Sequence, residues 1–437
     1  MSEITSHDTP QSAPKGAPIT KATRNYTLAV LVMIYTSSHI DRQIVSILAE
    51  SIKIELQLSD TQLGFLIGLS FALFYATLGI PIAILADRYS RRNIIAASVM
   101  IWSVMTAACG FAGNFFQLAL ARVGVGVGEA GSSPPSHSMI SDLFPPEQRA
   151  TALGIYAAGI NVAILIGFLA GGYIDEWYGW RTAFFVVGIP GVLLGILLLT
   201  TTKEPPRKAP PPPAVRPFDY LREVWLTFKL MMTIPSLRNI MLGCTMVVFV
   251  GYGTVYWNGV FLRRIHELSS IEAGTILALV GGLIGGAGTF FGGWLADRLA
   301  QYDKRAYVWL TATVKLLVIP FIFVFYLTTD VEVLTWVMVF TAFVGGFYLS
   351  VSFALTQTLL PPNRRAVGAA ILLFCINILG LGLGPYLVGV LSDAFYPTYG
   401  KDGLRYAMIT VSMLNIWGAL HYFLAGRTLR EDLANAT

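Results

Sequence analysis

Residues 81–92 read Pro-Ile-Ala-Ile-Leu-Ala-Asp-Arg-Tyr-Ser-Arg-Arg, an apolar run that stops at an acid and a cluster of arginines. The core of this stretch, Leu85-Ala86-Asp87-Arg88, returns 210 positions later as Leu295-Ala296-Asp297-Arg298, again closing an apolar run. Further along, Pro145-Pro146-x-x-Arg149-Ala150 is answered 216 positions later by Pro361-Pro362-x-x-Arg365-Ala366, and at that same offset Asn161 is answered by Asn377. Order, side and spacing agree. The chain is two copies of one unit in tandem.

Composition says what the unit is made of. Of the 437 residues, 55% are hydrophobic and 13% charged, and the mean hydropathy is +0.63. Soluble domains carry roughly 25% charged residues, so a soluble enzyme, a nucleic-acid-binding module and a secreted disulfide scaffold are excluded. Cys109, Cys244 and Cys375 each fall in an apolar stretch without metal-ligand spacing. They read as core filler, and no metal or cofactor is expected. A bilayer-crossing helix needs about 20 mostly apolar residues. Twelve such runs can be counted, six on each side of one long connection. The runs are continuously apolar, without period-two alternation, which favours helices over a barrel. Six spans per copy leave both copies in one orientation, a parallel repeat with its substrate site at the midplane. The expected fold is an all-α membrane protein: twelve transmembrane helices in two six-helix bundles related by a parallel pseudo-two-fold axis.

The expected divisions are a disordered cytoplasmic tail at 1–24, bundles at 25–201 and 236–426, a linker at 202–235, and a second tail at 427–437. The first tail lacks the short apolar core of a signal peptide. The linker opens proline-rich and basic, hence stiff. It continues with Phe218, Leu221, Trp225, Phe228 and Met232 at helical spacing, an interfacial helix. Of the 30 Lys and Arg, 21 lie in segments on the side of the termini and six on the other. The positive-inside rule then puts both termini in the cytoplasm, and a bacterial inner membrane is the expected location.

Asp87-Arg88-Tyr89-Ser90-Arg91-Arg92 resembles the loop signature of the major facilitator superfamily between spans two and three. It departs with Ser90 at the usual glycine and Ala83 one turn before the acid. Arg122-x-x-x-Gly126-x-x-x-Ala130 is similar to that family's fourth-span motif, which there marks proton-coupled members. Asp41-Arg42-Gln43, Gly126-x-Gly128-Glu129-Ala130, Ser141-Asp142-Leu143-Phe144-Pro145 and Lys203-Glu204-Pro205-Pro206-Arg207 resemble the Spinster-like branch, whose members export sphingosine phosphate and related lysolipids. The resemblance spans residues 26–426. It implies a transporter rather than an enzyme, with spans one and four lining a central cavity and span nine at the periphery.

Charges inside spans cost about 2.5–3.5 kcal/mol each and need partners or a wet cavity. Five stand out: Asp41 and Arg42 in span one, Arg122 and Glu129 in span four, and Lys315 in span nine. Arg122 and Glu129, seven apart, lie about 10 Å apart along one helix. By depth, Asp41 is expected to pair with Arg122 while Arg42 turns to the cavity. Glu129 sits lower, among Gly124, Gly126 and Gly128, where close helix approach desolvates it. Asp41 and Glu129 are the expected proton-coupling acids. Arg42 and Arg122 are the expected head-group and charge-switch residues. Tyr35, Ser38, Tyr252, Tyr256 and Tyr348 are the expected cavity wall. Lys315 is assigned to snorkelling or an inter-helix hydrogen bond, and His39 and His137 to polar filling. Asp87, Arg88, Arg91, Arg92, Arg149, Asp297, Arg364 and Arg365 form an expected cytoplasmic gate. Together these point to a monomeric, proton-coupled transporter of an anionic, amphipathic lipid-like molecule, whose partners are protons, membrane lipids and that substrate, not nucleic acid. The alternatives are a multidrug or small organic-anion transporter and a non-transporting membrane sensor.

Overall fold

The computed structural model describes residues 20–207 and 217–436, and among them no strand occurs. The proline-rich stretch 208–216 and residues 1–19 of the expected first tail lie outside the described residues.

The first span is a 36-residue helix, Lys21–Leu56, begun by Thr20, whose hydroxyl accepts from the Thr23 amide. Helix therefore starts inside the expected tail. Its first turns lie against the fifth: Arg24 reaches the Gln148 side chain at 2.9 Å and covers the Phe144 ring. The second span is Asp60–Ala86 and the third is Arg91–Cys109. The fourth is broken, with Phe115–Glu129 and Ser133–Leu143 as its halves. Spans five and six follow one another within Pro146–Thr201, two helices that meet at a kink where Gly179 leaves helical geometry (φ 79°), a positive-φ backbone that only glycine adopts without strain. An amphipathic helix, Pro217–Thr233, follows. It buries Met231 and leaves Leu221 and Trp225 outward, as a helix lying at an interface would.

The second bundle comprises span seven, Pro235–Ile265, span eight, Ser270–Ala300, and span nine, Ala306–Leu327. Span ten breaks between Val331–Gly345 and Leu349–Leu359. Span eleven runs from Arg365 to Tyr399 through a π-helical centre, Ile376–Leu383. Span twelve is Gly403–Ser412 with Leu414–Ala436, so helix also covers most of the expected second tail.

Eight helices are long and apolar enough to cross a bilayer by length and composition alone. Two of them, Pro146–Thr201 and Pro362–Ala436, each hold two spans. The first and fourth spans fall short of that test, and both carry charges. Across the interface, span one packs on seven, two on eleven, and five on eight. These pairings map onto one another under the repeat, which is the pseudo-two-fold axis seen in contacts.

Candidate functional site

Two faces are told apart by the chain ends: a terminal face and a far face. Between the bundles at mid-depth lies a cavity of about 510 Å³. Its wall is mostly apolar and aromatic, with Tyr252, Tyr256 and Tyr348 upon it and Arg42 on the first-bundle side. Tyr35 and Ser38 are not on this wall, a correction to the expected stripe. Tyr35 stacks on Tyr156 at 4.2 Å, and the buried Ser38 hydroxyl donates back to the Tyr35 carbonyl. His39 is on the wall instead, one ring nitrogen held by that same carbonyl. His137 meets Tyr156 edge-on.

The charge pairing also differs from the expected one. Arg42 donates from Nε to Glu129 Oε2 at 2.8 Å and from Nη2 at 2.6 Å. Its guanidinium is wedged between the rings of Phe71 and Tyr75, at 4.7 and 4.5 Å from their centroids. Asp41 faces away, about 100° around the helix, and accepts from the Thr106 hydroxyl of span three at 3.2 Å. Among the described residues no ion pair joins Asp41 to Arg122. Arg122 is 3% exposed, points its Nε at the Leu66 carbonyl and lies over Phe71. Leu66 belongs to a π-helical segment, Phe65–Leu69, where the ladder is stretched and a carbonyl can take an outside donor. Depth counting failed because an arginine side chain is long enough to reach down to a carboxylate placed lower. Glu129 is 1% exposed, hemmed in where Gly126 meets the Phe71 backbone and Gly128 that of Trp102. One oxygen of Glu129 and one of Asp41 have no hydrogen-bond partner.

Lys315 makes the inter-helix hydrogen bond that was one of its two expected roles, and only its placement is corrected. It is not peripheral: it lines the cavity. Its ammonium donates to the Gly345 carbonyl at 2.9 Å, at the break in span ten.

The far face is shut by charges joining the bundles. Arg264 of span seven forks onto Glu50 and Asp60 at 2.7 Å each. Asp60 also accepts from Ser392, while Asp393 caps the Asp60 and Thr61 amides. Arg263 reaches Asp175 at 3.0 Å, which in turn accepts from Ser270. Sequence reading missed this cluster, although Arg263-Arg264 opposite several acids was a visible signal. On the terminal face, no hydrogen bond or ion pair crosses between bundles among the described residues. Asp87, Arg88, Asp297, Arg298 and Arg365 are exposed there. Arg91 is buried and bound to Asp142 and Glu204 of its own half, Arg92 to the Thr202 carbonyl, and Arg364 to Glu223 of the amphipathic helix. Arg149 is half-buried. The expected gate residues are therefore apart in this conformation.

Two helical bundles, a mid-depth cavity between them, and a closure on one face define a transporter and not an enzyme. The sequence profile described as Major Facilitator Superfamily matches residues 31–385. An "MFS-type efflux pump" of Mycolicibacterium smegmatis is 33% identical over 93% of both chains. Protein spinster homolog 1 of Mus musculus is 29% identical over 94% of this chain and 82% of its own. Among solved structures, a bacterial homologue of the human lysosomal transporter Spinster, inward-facing and unoccupied, is 33% identical. It superposes with a TM-score of 0.84 over 94% of this chain and 99% of that one. Its occupied form scores 0.81. The chain belongs to the Major Facilitator Superfamily, and within it is Spinster-like.

Proposed function

We propose that the protein is a proton-coupled secondary transporter that moves an amphipathic anion of the lysolipid or sphingosine-phosphate type by alternating access. The observation that carries this reading is the buried Arg42–Glu129 pair at the cavity wall. A proton arriving on Glu129 removes the carboxylate's charge and frees the guanidinium to hold an anionic head group. Loss of that proton re-forms the pair and expels the head. Asp41, with one oxygen unsatisfied, is a second proton acceptor behind the same helix. Arg122 holds the π-helical turn of span two and adds positive potential beside both acids. The apolar, aromatic remainder of the cavity suits an alkyl chain.

The excess of Lys and Arg supports reading the terminal face as cytoplasmic and this conformation as inward-facing, and the bacterial relatives support a bacterial inner membrane as the setting. A monomer suffices, since the cavity is built within one chain. Efflux of uncharged hydrophobic drugs is the second reading, favoured by the efflux-pump relative and the apolar wall. In that case Arg42 would only hold the bundle together. Proton flux in liposomes separates the two: lysophospholipids and sphingosine phosphate should drive acidification changes, and neutral hydrophobic dyes should not. Flux with the dyes alone would reverse the assignment.

A further inference from the structure

The cavity wall has a second cation, and its electrostatic situation is unlike that of Arg42. Lys315 is 8% exposed, lies nine residues into span nine, and is therefore about 14 Å from its start, near mid-depth. Among the described residues its ammonium has one hydrogen-bond acceptor, the Gly345 carbonyl at 2.9 Å, and a ring contact with Tyr348 at 4.9 Å. No carboxylate stands within ion-pair distance of it among those residues, whereas Arg42 is neutralised by Glu129. Among the described residues no acid lines the cavity. The unneutralised charge facing the cavity among the described residues is thus a single positive one, on the second bundle. A buried ammonium with donors to spare is under-solvated until an anion reaches it.

The same face of span nine continues with Val318, Ile322 and Phe325, which also line the cavity. At three, seven and ten residues beyond Lys315 they form a stripe about 15 Å long. One helix therefore offers an ammonium at one end and an apolar track leading from it.

We propose that Lys315 is the residue that selects the substrate's charge, binding the anionic head of an alkyl-chain amphiphile, with the chain laid along Val318, Ile322 and Phe325. This rests on the reading of the substrate as an amphipathic anion, and it assigns the head to the second bundle rather than to Arg42 alone. The bland alternative is that Lys315 merely ties off the broken tenth helix through Gly345. Lys315→Gln separates them, since an amide still donates to that carbonyl but carries no charge. Binding of dodecyl phosphate, dodecanoate and neutral dodecyl glycerol would be measured on the purified full-length protein in nanodiscs. Wild type should prefer the two anions. Lys315→Gln should lose about 10- to 100-fold for them, the usual cost of a charged hydrogen bond, and keep its affinity for the neutral compound. Lys315→Arg should retain the preference. If Lys315→Gln melts like wild type and still prefers anions, the proposal is overturned and the substrate reading survives. If wild type itself shows no preference, both fall. If Lys315→Gln does not fold, loss of the preference in Lys315→Arg overturns the proposal, and its retention upholds it.

Discussion

At the scale of single residues, Glu129 is the side chain with most at stake. It is buried, holds Arg42 through one oxygen and leaves the other unpaired. Glu129→Gln keeps size and one hydrogen-bond acceptor but cannot exchange a proton. It should abolish pH-driven transport in proteoliposomes while ligand binding persists. Normal pH-driven uptake would remove Glu129 from the coupling step. Asp41→Asn should impair coupling with little effect on folding, because Asn can still accept from Thr106. A pH–rate profile identical to wild type would make Asp41 structural. The residue types of this site were legible in the sequence, since charges in apolar runs are costly and conspicuous. Their partners were not. Pairing depends on which way each side chain leaves its helix, and Asp41 and Arg42, adjacent in the chain, face opposite neighbours. The bond from Lys315 to another span was expected, but for the same reason its place on the cavity was not. The span was plain, but its cavity-facing side was not.

Elements tell a different story. The twelve spans and the tandem repeat could be read directly, because hydrophobic length is a one-dimensional property. The irregular stretches could not. Spans two, eight and eleven each contain a π-helical segment, Phe65–Leu69, Ala278–Ile284 and Ile376–Leu383, and all three spans sit at the interface between bundles. Nothing in a hydropathy pattern marks an extra residue per turn. Glycines mark it indirectly: a side chain at Gly68 would start 2.5 Å from the Gly382 carbonyl of the facing π segment. That neighbour is backbone and cannot step aside. Gly68→Val should therefore disfavour this packing by about 1–3 kcal/mol, as overfilled contacts do, and drive spans two and eleven apart. Distances between spin labels on the far ends of those spans should lengthen. An unchanged distribution would mean the contact has slack.

For the whole molecule we propose a balance between two closures. One is present: Arg264 holds Glu50 and Asp60 across the far face. The proposed other would join Asp87 to Arg364 or Arg365, which make no ion pair with it among the described residues, so it would form only when the terminal face shuts. A substitution shifts such a balance only by its difference between states. Arg264→Ala should therefore move the population away from the present conformation, and Asp87→Ala further toward it, each by roughly 1–2 kcal/mol. Labels on the terminal ends of the two bundles should approach in the first mutant and stay apart in the second. Shifts of the same sign would rule out opposed latches.

The shortfall in apolarity of spans one and four bears on how the protein is made. Two charges near the middle of span one cost about 5–7 kcal/mol on the insertion scale, which its branched aliphatic residues offset only in part at a few tenths of a kcal/mol each. Span one is synthesised before span four, and the carboxylate that neutralises Arg42 emerges 87 residues after it. Its residence in lipid must wait for span four, and the translocation channel or a chaperone has to shelter it meanwhile. Glycosylation-tag mapping should find span one poorly inserted in nascent chains that stop after Cys109, and well inserted once synthesis has passed Leu143.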